Sequence, residues 1–134
     1  MLENLKKLEK HINSELSSKI HNSVINNDEL LVEVGENDLT EVVQFIKSNE
    51  KLKFRQLIDI AGVDYPEEEK RFNLIYLFLS HENNSRLKLL VKFETSQTIN
   101  SITKIFPSAN WMEREVFDMY GIKFKNHPDL RRIL

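Results

Sequence analysis

The 134-residue sequence contains no cysteine, which excludes disulfides, thiolate-bound zinc, iron–sulfur ligation and cysteine nucleophiles. Glycine is scarce as well, with only three residues, so no glycine-rich loop of the kind that cradles phosphate groups is present. The sequence also lacks a His-Glu-x-x-His pair and a G-x-S-x-G elbow. Common signatures of redox, nucleotide-binding and hydrolytic sites are therefore absent from this sequence.

A large net charge and long apolar runs are also missing. The formal net charge of −2 gives no electrostatic reason to expect nucleic acid or an anionic membrane as the main partner. The longest apolar run, at residues 74–79, is the length of a strand and far too short to span a bilayer. The first residues lack the apolar region of a secretory signal. We expect a cytosolic protein, or a matrix protein if it is organelle-encoded, that reaches a membrane only through partners.

What is present is the composition of one folded domain covering residues 1–134, with 40% hydrophobic and 30% charged residues. Apolar positions at helical spacing predict a first helix, with the stripe Leu2, Leu5, Leu8, Ile12, Leu16 and Ile20. Two short strands follow around a turn at residues 26–28, and a second helix starts with a capping-box pattern at Asp38 and Glu41. Three further strands are predicted within residues 54–63, 72–79 and 86–94. Residues 95–107 are predicted to be irregular, and a third helix spans residues 110–120, with Gly121 as its stop.

This order of elements predicts an α+β fold in two layers. The sheet is expected to be mixed but mostly antiparallel, with about five strands, and the helices to lie on one face.

Special residues are concentrated at the end of the sequence, in residues 113–122 and 127–134. Glu115, Asp118 and His127 suggest a metal site, but loose spacings of this kind arise often by chance, and Arg114 offers Asp118 a local ion pair. An acid–base pair from the same carboxylates lacks a nearby nucleophile. Because apolar and aromatic residues surround these charges, a docking helix is the better interpretation. Arg131 and Arg132 would then supply bidentate donors for carboxylates of a neighbouring protein.

The same segment resembles the signature of the C-subunit family of the proton-pumping NADH:quinone oxidoreductase, respiratory complex I. The pattern is Glu-Arg-Glu, two residues, Asp, two apolar or aromatic residues, six residues, His, three residues, Arg, one residue and two aliphatics. Every fixed position is matched between Glu113 and Leu134. Upstream, residues 59–66, Arg71-Phe72, Ser101 and residues 109–111 also look like this family.

The resemblance implies a protein of the hydrophilic arm that carries no flavin, iron–sulfur cluster, metal or other cofactor and contributes no catalytic residue. It implies assembly and packing against the large D-subunit, which helps to build the quinone site. The location would be the cytoplasmic side of the bacterial inner membrane or the matrix side of the mitochondrial one. The expected signature and partner-binding residues are Glu113, Arg114, Glu115, Asp118, Tyr120, His127, Pro128, Arg131 and Arg132.

Two alternative functions stay open on the sequence alone, and the sequence differs from the family pattern in one respect. The chain resembles, less closely, the equivalent subunit of a membrane-bound hydrogenase or formate hydrogenlyase. A stand-alone metal-dependent enzyme using Glu115, Asp118 and His127 is the remote alternative. The sequence stops at Leu134, where members of the complex I family usually continue into an extended tail, so the tail's contacts are not expected here.

Overall fold

The computed structural model describes residues 2–27, 29–94 and 98–128. Three helices occur in this part of the chain: α1 (Leu2–Glu15), α2 (Leu39–Ser48) and α3 (Ala109–Tyr120). The strands are β1 (Ile20–Asn26), β2 (Glu29–Val34), β3 (Gln56–Asp64), β4 (Phe72–Ser80), β5 (Ser85–Phe93), β6 (Ile99–Asn100) and β7 (Phe124–Lys125).

The main sheet has five strands in the order β1-β2-β5-β4-β3. β2 and β5 pair in parallel, whereas the other three pairs are antiparallel. The α+β class and the mixed, mostly antiparallel sheet of five strands are therefore confirmed. The two-residue strands β6 and β7 form a separate parallel pair, in which Ile99 lies opposite Phe124.

One face of the main sheet carries the core. Alternate residues along β4 and β5 are buried, from Phe72 to Ser80 and from Leu87 to Phe93, because successive side chains of a strand point to opposite faces. The apolar positions of α2 are fully buried at Leu39, Val42, Val43 and Ile46. Phe78 contacts Phe106, and Phe72 contacts Tyr120 of α3, both from the core face of β4. The core face thus fixes where α3 lies.

Several predicted boundaries are wrong at the ends of elements. Helix α1 stops at Glu15 and Ile20 begins β1, because residues 16–19 form turns closed by the bond from Lys19 N to Leu16 O. Asp38 precedes α2 but its side chain makes no capping hydrogen bond, so the predicted capping box does not form. Phe54 is buried in the loop before β3, where its amide donates to Ile46 O at 2.9 Å.

None of the helices among residues 2–27, 29–94 and 98–128 has both the length and the apolar character needed to cross a bilayer.

Candidate functional site

Helix α3 carries most of the predicted signature, and its inward side includes a charged residue. Ala109, Glu113 and Val116 are buried, at the i, i+4 and i+7 spacing of a single helical face. The helix ends at Gly121, whose φ of 73° is the left-handed conformation that terminates helices. Glu113 therefore points into the protein, although the charged residues Arg114 and Glu115 follow it in the sequence.

The carboxylate of Glu113 is fully buried and bonded on both oxygens. The Ser101 hydroxyl donates to Oε1 at 2.6 Å, and the backbone amide of Ile102 donates to Oε2 at 2.9 Å. A buried carboxyl group is costly unless donors of this kind surround it. Glu113 thereby fastens α3 to the loop that follows β6.

His127 joins the same cluster from the segment after β7. Its Nε2 lies 3.1 Å from Asn110 O and 3.8 Å from Glu113 Oε1, and its side chain is fully buried. Because a carbonyl oxygen only accepts, the contact with Asn110 requires a proton on Nε2. The segment itself is held by the loop that follows β6, since Ser101 N donates to Lys125 O at 2.9 Å. Three segments of the chain therefore meet at Glu113.

Burial has the largest effect on the pKa values of the ionisable groups beneath α3. Desolvation raises the pKa of Glu113 to about 7, although the bonds from Ser101 and Ile102 act in the opposite direction. On the core face of β4, burial also raises the pKa of Tyr76 well above its ordinary value, and the charge of Glu113 adds to this effect. The Tyr76 hydroxyl has no hydrogen-bond partner in the described part of the chain. The interior beneath α3 thus disfavours negative charge.

The other end of α3 is attached to strands β3 and β4 through Tyr120. Its hydroxyl donates to Gly62 O at 2.8 Å, and its ring lies edge-on to Phe72 with centroids 6.3 Å apart. Arg71 forms a two-pronged pair with Asp64, at 2.6 and 2.8 Å, which closes the hairpin beside them. This pair holds the pKa of Asp64 below its usual range. Two of the upstream segments that carried the resemblance, residues 59–66 and Arg71-Phe72, therefore lie at the C-terminal end of α3.

The close contact with Tyr120 leaves no room for a side chain at Gly62. We predict that Gly62→Ala destabilises the fold by about 2 kcal/mol. A Cβ atom at position 62 would lie 2.7 Å from Tyr120 Cε2. In a Tyr120→Ala background the same change should become neutral or slightly stabilising, because alanine ordinarily fits a strand better than glycine. Chemical denaturation of the four chains in this cycle measures the effect. Equal costs in both backgrounds would rule out the ring as the cause.

The outward side of α3 is apolar at both ends. Trp111 and Met119 are 52% and 73% exposed, and Glu115 lies exposed between them at i+4 from Trp111. The Arg114 guanidinium lies over the Trp111 ring, 5.4 Å from its centroid. We call Trp111, Arg114, Glu115 and Met119 the α3 outer face.

The predicted site residues thus divide into two groups, and some lie elsewhere. Glu113, Tyr120 and His127 make contacts within the chain, whereas Arg114 and Glu115 belong to the α3 outer face. Pro128 is exposed beyond His127, and Arg131 and Arg132 lie outside the described residues. Asp118 is half-buried on α3. The described residues contain no group of three histidine, aspartate or glutamate side chains able to hold a metal, so Glu115, Asp118 and His127 do not form the site that the metal hypothesis requires.

Sequence reasoning missed the backbone partners of the buried cluster. The Ile102 amide and the Asn110 carbonyl are backbone groups, and no side-chain pattern reveals them. Glu113 itself had a usable signal, because it shares a helical face with Ala109 and Val116.

Fold and geometry together define a class: a small α+β domain whose signature helix is fastened from within and exposes aromatic and charged residues outside. The family model described as "Respiratory-chain NADH dehydrogenase, 30 Kd subunit" matches residues 32–134. The chain belongs to this family.

Similar curated proteins share one name, that of the C-subunit of NADH-quinone oxidoreductase. The protein from Chelativorans sp. (strain BNC1) is 40% identical over 134 residues, which are 100% of this chain and 67% of that protein. The one from Ruegeria pomeroyi is 51% identical over 106 residues, covering 79% of this chain and 53% of the relative. The one from Rhodospirillum rubrum is 41% identical over 133 residues, which are 99% of this chain and 62% of that relative. The chain thus spans between about half and two thirds of the length of these relatives.

Two solved structures share the fold. A trypsin-resistant fragment of Nqo5 superposes with a TM-score of 0.75 at 25% identity, covering 95% of this chain and 99% of that one. A chain of the membrane-bound sulfane sulfur reductase, an archaeal respiratory membrane complex, gives a TM-score of 0.79 at 19% identity. The match covers 91% of the present chain and 71% of that one. The second likeness shows the fold alone.

Proposed function

We propose that this chain is a non-catalytic subunit of the proton-translocating NADH:quinone oxidoreductase. In this role it lies in the peripheral arm, on the cytoplasmic side of the bacterial inner membrane or the matrix side of the mitochondrial one. It supports assembly by packing against the large D-subunit, while electrons pass from NADH to quinone through other subunits. Membership of the 30 kDa subunit family supports this proposal, together with the name shared by its relatives.

The α3 outer face is the observation that carries the docking role. Only five large hydrophobic residues among those described are markedly exposed, and two of them, Trp111 and Met119, lie on this one helix face. Tryptophan, methionine and arginine are the residue types enriched at the centres of protein interfaces. Arg114, stacked on Trp111, adds a charged group that is held in place before binding.

The anchors beneath α3 give this face a fixed orientation. Glu113 holds the N-terminal half of the helix through Ser101 and Ile102, and Tyr120 holds its end through Gly62. A rigid surface loses little conformational entropy when a partner binds, so more of the contact energy appears as affinity. The signature is thus explained as an inner set of residues that fixes the helix and an outer set that meets the partner.

The double change Trp111→Ser with Met119→Ser tests this role. We expect the affinity for the large D-subunit to fall by at least about tenfold, because two apolar anchors are lost from one interface. Stability should stay within about 0.5 kcal/mol of the parent chain, because surface changes seldom cost more. Co-expression with the large D-subunit, followed by quantitative mass spectrometry of the recovered complex, measures the association.

A matched control is the pair Leu2→Ser and Val24→Ser, which removes two other exposed apolar side chains, 50% and 44% exposed, from α1 and β1. These changes should leave the recovery of the large D-subunit unchanged. Normal recovery with the α3 double variant, or an equal loss with the control pair, contradicts docking through the α3 outer face.

Arg114→Ala and Arg131→Ala give a second test of the predicted partner-binding residues. Both should weaken association with the large D-subunit more than they disturb the fold, which the melting temperature reports. If both variants associate normally while their melting temperatures collapse, these arginines serve the fold instead.

A further inference from the structure

A cleft of about 470 Å³ lies between helix α1 and two loops, and the signature does not account for it. Lys7 and Leu8 line it from α1, Lys51, Leu52 and Phe54 from the segment after α2, and Asn83 from the turn between β4 and β5. This turn follows the last residue of β4, whereas Tyr120 of α3 contacts Phe72, the first. The nine residues of β4 separate the two places by about 27 Å.

The floor of the cleft is apolar. Leu52 and Phe54 are only 3% and 1% exposed, and Leu8 is half-buried against the same core. Leu8 therefore supplies the accessible apolar surface of the cleft, which an aliphatic side chain can cover but a small, strongly hydrated anion cannot use.

The rim is positively charged, because the charged residues that line it are Lys7 and Lys51. No acidic residue lines the cleft. Lys7 and Lys51 are both exposed, and neither takes part in an ion pair within the described residues. Glu82, next to Asn83, is already held by Lys53 at 3.0 Å and Arg55 at 2.6 Å. Glu50 precedes Lys51 and Glu3 lies one helical turn before Lys7, but neither lines the cleft.

The walls are fixed by backbone contacts. The side-chain amide of Asn83 donates to both Lys51 O and Leu52 O, each at 2.9 Å, which joins the two loops. The Lys51 amide donates to Asn49 Oδ1 at 2.9 Å. A cleft with such walls needs little rearrangement to accept a ligand.

We propose that this cleft binds an acidic peptide segment of a neighbouring protein in the assembly, with an aliphatic side chain against Leu8 and carboxylates at Lys7 and Lys51. It is a second contact, independent of the α3 outer face, and shares with the proposed function only the premise that the chain works within an assembly. Loss of one contact should leave the other intact.

The test uses a capped peptide of alternating glutamate and leucine as the probe, added to the isotope-labelled full chain and followed by NMR. The expected result is a set of shifts at the amides of Leu52, Asn83 and their neighbours, which fade as salt screens the charges. The double variant Lys7→Gln with Lys51→Gln should bind about tenfold more weakly, since it loses two exposed ion pairs. The control pair Lys10→Gln with Lys104→Gln changes the net charge equally, outside the cleft, and should bind as the parent does.

Two further probes distinguish other occupants. The glutamine analogue of the peptide tests whether charge is needed, and inorganic phosphate tests whether any anion suffices. The proposal is overturned if the acidic peptide leaves the cleft signals in place, if the glutamine analogue or phosphate moves them equally, or if both lysine pairs weaken binding alike. Because the lysines are exposed, the spectra of both variants should otherwise match that of the parent chain.

Discussion

Replacing Glu113 by alanine is expected to lower the free energy of unfolding by about 3 kcal/mol at pH 6, where the Glu113 carboxyl group of the folded chain is mostly protonated. The loss has two parts. The Ile102 amide and Ser101 hydroxyl lose their buried acceptor, and the missing side chain leaves a cavity under α3. Glu113→Gln keeps the shape and one acceptor oxygen, so its cost should be below about 1 kcal/mol. Chemical denaturation of the three chains measures both values.

Hydrogen exchange shows whether this loss arises at the cluster. In Glu113→Ala the amides of Ser101 and Ile102 should exchange faster, because the loop and the β6–β7 pair lose their common attachment to α3. Amides in the centre of β4 should change only with global stability. An alanine variant as stable as the parent, with unchanged exchange at Ile102, would contradict the role of Glu113 as an anchor.

The second large effect is a fall in stability with rising pH that depends on Glu113. Its pKa is raised from 4.5 to about 7 in the folded chain, so the folded state binds more protons than the unfolded state between these values. Stability contributed by this group is therefore complete below about pH 4.5 and is lost as the pH rises through about 7. Between pH 5 and pH 8 the loss should reach about 2–3 kcal/mol.

Glu113→Gln isolates this effect because glutamine does not titrate. The quantity to measure is the unfolding free energy of the parent chain minus that of Glu113→Gln, at several pH values. This difference removes the contribution of carboxyl groups such as Asp64, whose lowered pKa acts in the opposite direction. A difference that stays constant from pH 5 to pH 8 would show that Glu113 is not held in a desolvated site.

The long strands were predictable because their patterns are long. Residues 72–79 are apolar apart from Asn73, which indicates a central strand, and apolar residues alternate with charged ones from Leu87 to Phe93 apart from Leu90. Both strands form as expected. The stop of α3 at Gly121 follows from the freedom of glycine to adopt a positive φ. Local chemistry was sufficient in these places.

The short pair β6–β7 could not be predicted in the same way. Two residues per strand are too few for any periodicity, and their pairing depends on contacts between segments 25 positions apart, such as Ile99 with Phe124. The same limit applies to the candidate site. The density of charges near Glu113 was visible in the sequence, but the division into inner anchors and an outer face depends on tertiary contacts of Ser101 and His127.

The extent of Met119 oxidation tests most directly whether another protein of the complex covers the α3 outer face. Its side chain is 73% exposed in the isolated chain, so hydroxyl-radical footprinting should oxidise it quickly there. In the assembled NADH:quinone oxidoreductase we expect the oxidation of Met119 and Trp111 to fall at least about fivefold, as burial in an interface excludes solvent. Equal oxidation of both residues in the isolated chain and in the complex would show that the α3 outer face stays uncovered.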